Sequence, residues 1–514
     1  MAGDTTETKG APQDDDVLPP PLPSTPPPAA NDSASNPIVR GVGIALAIAV
    51  FLFLTLYPTE LQTLSGFGKR PAYAAAVAAL MAVLWLFEAI PIAMTACLPI
   101  ALYPVLGVFG DGLTLNAGKA LSPFTDAYIF LFFGGMMIGG AMEEQGLHRR
   151  VALHILRAIG TRPRRLLFGM LAATALVSLW ISNTATAVMM VPIAVALLHE
   201  LEAGEKRKLP GFGASLLLAV AYASNVGGIG TKIGTATNSI FLGFVTDKMK
   251  TDIGFVRYLA FGLPFVVLFL PIVWAVLWLH ARRDHIKSDR GREVIEHELN
   301  AMGTLRGPER RVAFVFCLAA FLWIFGDLLR PFVSPWLSML IRAPASGKHY
   351  EAFVSLLAGG LLVLTKSIRW STFRKIPWST LLLLGGSFAM AAGIEGSGLG
   401  QWMAQRFTAV AQMPFVAQVG LTALGTVLLS AVASNTATMN IALNVLPRSL
   451  PVLGASAIAA SCDFMLPAGT PPNAIVFGSG AIRLPVMMRV GFALDLLAVI
   501  AITAYVMIYG QYIL

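Results

Sequence analysis

The sequence contains few charged residues. Asp, Glu, Lys and Arg make up 13% of its 514 residues, while 56% are hydrophobic. Soluble globular domains carry roughly 25% charged residues. Apolar runs such as Gly43–Tyr57, Tyr258–Leu279 and Val490–Ile508 approach the ~20 residues that a bilayer-spanning helix needs. The composition excludes a soluble domain and predicts an all-α polytopic membrane protein with about 11 transmembrane helices, partnered by the lipid bilayer.

Cysteine and histidine are also scarce. The three cysteines, Cys97, Cys317 and Cys462, are far apart and give neither a disulfide framework nor a metal-binding spacing. The seven histidines are scattered, with no His-x-x-x-His or paired-acid motif. A membrane-embedded enzyme needs such a cluster, so it stays only a remote alternative.

The net charge of +9 is distributed in short loops between apolar runs. This pattern sets membrane orientation and predicts no nucleic-acid partner. Basic residues cluster in four loops between apolar runs, at 149–165, 206–208, 282–292 and 366–375. We place these loops in the cytoplasm. We expect a cell inner (plasma) membrane protein with a cytoplasmic N-terminus and an external C-terminus.

The N-terminal segment has no basic stretch and no early apolar run, so it is not a signal peptide. It is acidic and rich in proline, which predicts a disordered tail. The predicted domains are this tail at 1–36, a first transmembrane helix and loop at 37–70, repeat 1 with a hairpin at 71–281, a cytoplasmic connector at 282–310, and repeat 2 with a second hairpin at 311–514.

An internal duplication is indicated by three pairs of similar segments in the same order. Together they make chance similarity improbable. The pairs are Phe132–Gly135 with Leu383–Gly386, Ser182–Thr186 with the identical Ser434–Thr438, and Gly234–Asn238 with Gly469–Asn473.

Each repeat is predicted to contain a re-entrant helical hairpin and a broken helix. The charge pattern has the two hairpins entering from opposite faces, which makes the repeats inverted. Inverted repeats are typical of secondary transporters, whose site lies near the membrane midplane.

Helix breaks at membrane depth survive only where protein or a water-filled cavity surrounds them. Each Ser-Asn-Thr segment offers two hydroxyls and an amide just before a new helix, where free N–H groups and a partial positive charge favour anions. Two such tips would hold both ends of a small dianion. A structural helix cap is the alternative interpretation. The Gly-Thr-x-x-Asn breaks supply backbone oxygens of the kind that bind Na⁺, unless they are simple turns.

These motifs resemble the divalent-anion/sodium symporter family of dicarboxylate, citrate and sulfate transporters, of the solute carrier 13 type. The resemblance runs from about Ala74 to the C-terminus. Its most specific parts are Trp85–Pro91, Ser178–Thr186, Pro377–Gly386 and Phe464–Phe477.

The resemblance implies a homodimer, an elevator-type motion and Na⁺ as coupled ion. It implies that the two hairpin tips bind substrate: Ser182, Asn183, Thr184, Ser434, Asn435 and Thr436. We add Thr235, Thr470 and Pro471 from the breaks. It implies one Na⁺ near Ser178, Ser182, Asn183 and Gly234, and another near Ser430, Ala433, Asn435 and Gly469.

The sequence departs from the family pattern in the breaks. Lys232 and Asp463 stand where uncharged or small residues are expected, and the first break reads Thr-Ala-Thr-Asn without proline. An ionisable residue inside the membrane is by default a candidate functional residue. Lys232 either replaces a cation, or pairs with a carboxylate such as Asp463, or reaches the surface.

Two transport modes therefore follow. The first is Na⁺-coupled symport of C4-dicarboxylates such as succinate, malate or fumarate. The second is Na⁺-independent dicarboxylate exchange on the same fold, with Lys232 in place of the cation.

Overall fold

The computed structural model describes residues 37–514 except 58, 65, 287–290, 343, 407–411 and 468, and the side chains of 404–406 are also outside the description. The predicted tail at 1–36 lies outside the described residues. Within them the regular structure is helical, which confirms the all-α prediction.

The first half of the chain contains helices of very different length. Several are broken by proline, glycine or polar segments at the positions that the sequence indicates. They are α1 Pro37–Leu56, α2 Arg70–Leu86, α3 Ile92–Ala96, α4 Leu98–Leu106, α5 Leu113–Leu121, α6 Ala127–Gln145, α7 Leu147–Ile159, α8 Pro163–Ser178, α9 Asn183–Glu205, α10 Pro210–Gly228, α11 Ala236–Lys248 and α12 Phe255–Ala281.

The second half also contains helices of very different length. The helices are α13 Gly291–Met302, α14 Gly307–Ile324, α15 Gly326–Ile341, α16 Gly347–Leu364, α17 Trp370–Arg374, α18 Trp378–Gly396, α19 Leu399–Arg406, α20 Phe415–Val432, α21 Asn435–Val445, α22 Leu450–Ala459, α23 Pro471–Gly478 and α24 Leu484–Tyr505. The chain ends in a π-helical turn, Val506–Gly510, and a last turn, Gln511–Ile513.

Eight helices of the described residues are long and apolar enough to cross a membrane, or nine if α14 and α15, bent by 91°, form one span. Three further apolar helices are shorter: α2, the α3–α4 pair and α22. The predicted count of about eleven corresponds to all these apolar segments together.

Three segments differ from the sequence prediction. The span expected after Pro91 is split at Cys97 into α3 and α4. The helix expected over 437–450 ends at Val445, because Pro447 cannot continue it. The connector contains the amphipathic helix α13, which packs against α7 and α9 and buries Ile295 and Leu299.

Burial separates a central helix from peripheral ones. Only 11% of α1 is buried inside the protein, so most of its apolar side chains lie on the surface. In contrast, 94% of α10 is buried, and α10 packs against α8, α9, α12 and α23. Helix α10 therefore lies at the centre of the described structure.

Glycines let two helix pairs approach closely. A Cβ at Gly134 of α6 would overlap the backbone of Ser355 in α16, and one at Gly386 of α18 would overlap the backbone of Ala96 in α3. Small residues at such contacts are typical of membrane helix packing. The glycine pairs that marked the duplication thus serve as packing positions in both halves.

Candidate functional site

The first hairpin tip is a helix break closed by two serines. Helix α8 ends at Ser178 and α9 begins at Asn183, with the Ser182 hydroxyl accepting from the Ala185 N–H at 3.3 Å. The Ser178 hydroxyl donates to Asn183 Oδ1 at 2.9 Å and also lies 2.7 Å from the Ser224 carbonyl of α10. The tip is therefore tied to the central helix.

The second hairpin tip repeats this geometry. The Ser434 hydroxyl accepts from the Ala437 N–H at 3.3 Å. The Ser430 hydroxyl donates to Asn435 Oδ1 at 3.1 Å and lies 2.9 Å from the Ala460 carbonyl. Both asparagines are thus oriented by a serine five residues earlier, which in turn is anchored to the following broken helix.

The two breaks are closed by equivalent asparagines. Asn238 Nδ2 donates to the carbonyls of Gly228 and Thr231, at 2.8 and 2.7 Å. Asn473 Nδ2 donates to the carbonyls of Asp463 and Leu466, at 3.2 and 3.0 Å. These bonds satisfy backbone oxygens that the helix breaks leave free, as membrane depth requires.

Hydrogen bonds also join the two breaks across the halves. Asn225 Nδ2 donates to Thr470 Oγ1 at 3.0 Å, and the hydroxyls of Thr237 and Ser461 are 3.4 Å apart. Helix α23 of the second half packs against α9, and α11 of the first half packs against α21 and α22. The predicted site residues of both halves therefore belong to one connected region.

The tips remain accessible, while the breaks are more enclosed. Ser182 and Pro471 are exposed, and Asn183, Thr184, Thr235, Ser434, Asn435 and Thr436 are half-buried. By contrast, Ser178, Gly234, Ser430, Ala433, Gly469 and Thr470 are buried. An anion that reaches the tips would meet hydroxyl, amide and N–H donors, with the predicted cation ligands behind them.

The residues predicted around each Na⁺ lie close together. A Cβ at Gly228 would overlap Asn183 Oδ1, and a Cβ at Gly234 would meet the Gly228 carbonyl oxygen. In the second half, a Cβ at Gly469 would meet the Asp463 carboxylate and lie 3.5 Å from the Ala431 carbonyl. Serine, asparagine and backbone oxygens of this kind fit Na⁺, a hard cation.

Lys232 does not pair with Asp463. Its Nζ lies 2.8 and 2.7 Å from the two carboxylate oxygens of Glu351 on α16, and both side chains are nearly inaccessible, with 1% and 4% of the residue exposed. The indole of Trp323 donates to the Glu351 carbonyl at 3.2 Å. The predicted ion pair exists, with a partner that the sequence did not identify.

Sequence reasoning missed residues that are distant in sequence. Glu351 is 119 residues from Lys232, and Asn225 is 245 residues from Thr470. Only the polarity of these residues inside apolar helices could have marked them, since intramembrane polar groups are rarely without function.

Comparisons with known proteins agree with this architecture. The family described as the sodium:sulfate symporter transmembrane region matches residues 40–514. A protein named sodium-dependent dicarboxylate transporter SdcS from Staphylococcus saprophyticus is 34% identical over 496 residues, covering 92% of each chain. Its Staphylococcus aureus (strain USA300) counterpart is 33% identical over 489 residues, covering 91% of each chain.

A solved structure shows a related fold. The YdaH transporter of Alcanivorax borkumensis aligns with a TM-score of 0.55 at 14% identity, over 84% of this chain and 98% of that chain. The helical fold and the matched family define a multi-pass membrane transporter rather than an enzyme. The chain belongs to the sodium:sulfate symporter family.

Proposed function

We propose that this chain carries small divalent anions across the membrane by Na⁺-coupled symport, with C4-dicarboxylates such as succinate, malate or fumarate as substrates. The observation that carries the proposal is the matched pair of hairpin tips, each oriented by a serine–asparagine hydrogen bond at 2.9 or 3.1 Å. Relatives at 33–34% identity are named sodium-dependent dicarboxylate transporters, which supports this substrate class.

Each tip would bind one carboxylate of the substrate. The donors are the hydroxyls of Ser182, Thr184, Ser434 and Thr436, the amides of Asn183 and Asn435, and the N–H groups at the starts of α9 and α21. Thr235, Thr470 and Pro471 would close the site from the breaks. Neutral donors at helix N-termini suffice for anions because the backbone N–H groups and the helix dipole both favour negative charge.

Na⁺ would bind behind each tip. The first ion would use Ser178, Ser182, Asn183 and Gly234, and the second Ser430, Ala433, Asn435 and Gly469. A dianion entering a negative-inside cell is opposed by about 2.3 kcal/mol per charge per 100 mV. Two Na⁺ would neutralise it, and any further cation would make uptake electrogenic.

Larger-scale features are also part of the proposal. The two halves would be inverted repeats, with the N-terminus cytoplasmic and the C-terminus external. The transporter would act as a homodimer in which the hairpins and broken helices move together in an elevator-type motion. The equivalent hydrogen bonds of the two tips support the duplication, since both halves use the same residue types at the same spacing.

Na⁺-independent exchange is the second candidate. It requires the Lys232 ammonium to occupy a cation position. The pairing of this ammonium with both Glu351 oxygens, at 2.8 and 2.7 Å, supports a structural role and therefore favours symport.

Uptake of radiolabelled succinate into proteoliposomes tests the proposal. We expect uptake into empty vesicles to require an inward Na⁺ gradient, with choline as the control cation. Uptake that occurs only into succinate-loaded vesicles, regardless of Na⁺, would instead establish exchange. Absence of succinate uptake together with Na⁺-driven sulfate or citrate uptake would retain symport and change the substrate.

A further inference from the structure

Among the described residues, Asp463 is a buried carboxylate without a hydrogen-bond partner. Only 1% of the residue is exposed, and among the described residues neither carboxylate oxygen has a partner. No ion pair to it occurs in the described part of the chain either, and the buried lysine of the first break, Lys232, is held by Glu351. A buried carboxylate charge left without a partner costs several kcal/mol, so it is compensated either by a proton or by a bound cation.

The carboxylate points towards the second hairpin tip. Asn435 lies beside the Asp463 carboxylate. The Oδ2 atom of Asp463 occupies the space that a Cβ on Gly469 would take. Asn435 and Gly469 are among the predicted ligands of the second Na⁺. Asp463 therefore adds an anionic oxygen to a group of oxygens already assembled by Ser430, Asn435 and the break.

The equivalent position in the first half has no side chain. Asn238 bonds the Gly228 carbonyl and Asn473 bonds the Asp463 carbonyl, each ten residues earlier in the chain, so Gly228 and Asp463 correspond. A Cβ at Gly228 would overlap Asn183 Oδ1. The duplicated position thus faces the tip asparagine in both halves, with a charge in one half only.

Asp495 makes the need for a cation greater. It is 6% exposed, its Oδ1 accepts from the Phe464 N–H at 2.8 Å, and it lies close enough to Asp463 for the two carboxylates to repel each other. Two like charges in a poorly solvated region are compensated most directly by a cation between hard oxygen ligands.

We propose that the Asp463 carboxylate is a ligand of the Na⁺ at the second hairpin tip, so that this cation site is anionic whereas the first is built from neutral oxygens. This rests on the proposed Na⁺-coupled function. The anionic site should bind Na⁺ more tightly than the neutral one, because a carboxylate adds a full charge at contact distance.

The test measures Na⁺ binding without transport. The thermal unfolding midpoint of the purified full-length protein is followed during Na⁺ titration, with choline keeping the ionic strength constant. Asp463→Asn should need at least about tenfold more Na⁺ for half of the stabilisation, as loss of metal-site partners commonly costs 10–100-fold in affinity.

Asp495→Asn is the matched control, since it removes a neighbouring carboxylate that has its own hydrogen bond. It should raise the Na⁺ midpoint much less than Asp463→Asn does, because it removes a neighbouring charge and not a proposed ligand. An equal loss in both variants would mean that only the general negative potential matters, and would overturn the proposal. Asp463→Ala provides the same readout if the asparagine variant does not fold.

Two further results separate this proposal from the proposed function. If Asp463→Asn keeps the parent's Na⁺ midpoint while Asn435→Ala loses it, the cation site stands and Asp463 is not its ligand. If Na⁺ stabilises neither the parent nor any variant, Na⁺ coupling itself fails and this proposal fails with it.

Discussion

At the scale of single residues, the two tip asparagines are held in the same way in both halves of the chain. Asn183 and Asn435 each accept a hydrogen bond from a serine that contacts the next broken helix. The side chain is fixed before any ligand arrives, which lowers the entropic cost of binding.

We expect Asn435→Ala and Ser434→Ala to abolish succinate binding while the protein remains folded. The first removes the oriented amide and the second removes the helix cap and one donor. Binding of labelled succinate to purified protein is the measurement, with unfolding temperature as the folding control. Transport retained in both variants would contradict the assignment of the second tip.

The pair formed by Lys232 and Glu351 gives a second prediction. Lys232→Ala leaves Glu351 buried and unpaired, which should cost about 3–5 kcal/mol. Replacing both residues with methionine should restore most of the stability, because two apolar side chains need no counter-charge. Thermal unfolding of the single and double variants measures this. Greater Na⁺ dependence of succinate uptake in Lys232→Ala would instead support the cation-substitute role.

The helix breaks of the candidate site could be predicted from the residues themselves. The identical Ser-Asn-Thr-Ala-Thr segments located both tips, because polar residues inside apolar helices have few structural explanations. Glu351 and Asn225 could not be predicted, since their partners are 119 and 245 residues away and no local pattern indicates such a pairing. The role of Asp463 likewise depends on which groups surround it.

At the scale of helices, the length of the apolar runs predicted most membrane spans. Helices without such a run were not predicted. Helix α7 is amphipathic and buries Leu153 and Leu156 on one face, and α13 packs against it. Both are too polar for a hydropathy criterion. Their burial depends on tertiary contacts, which sequence periodicity alone does not reveal.

Substituting Gly228 tests how tightly the first tip fits the broken helix. In Gly228→Ala the new Cβ would overlap the Asn183 amide. We expect succinate uptake to fall by at least about tenfold, since even a small misplacement of site groups is costly. Na⁺-driven uptake is the measurement. Gly425→Ala on α20 is the matched control, because nothing lies within 4 Å of its added Cβ. It should be as active as the parent and up to about 1 kcal/mol more stable.

At the scale of the whole protein, the first broken helix consists of α10 and α11. In the proposed orientation, the start of α10 and the end of α11 face opposite sides of the membrane. Lys206 follows α9 and Lys250 follows α11, and both side chains are exposed. The backbone φ is 52° at Lys206 and 54° at Lys250, so the two labelling sites have similar backbone conformations.

We expect a membrane-impermeant maleimide to label Lys250→Cys in intact cells and to label Lys206→Cys only after permeabilisation. The background for both variants replaces the three native cysteines with serine. The basic loop around Lys206 should remain cytoplasmic under the positive-inside rule. The reverse labelling pattern would invert the proposed topology.

The hydrogen bonds between the two breaks, Asn225 with Thr470 and Thr237 with Ser461, have a consequence for ligand affinities. They join residues beside the first break directly to the second break, which contributes Thr470 to the proposed anion site. If Na⁺ raises succinate affinity by some factor, thermodynamic linkage requires succinate to raise Na⁺ affinity by the same factor. The coupling between the ion and the substrate would then be measurable at equilibrium, as equal changes in the two affinities, before any movement across the membrane takes place.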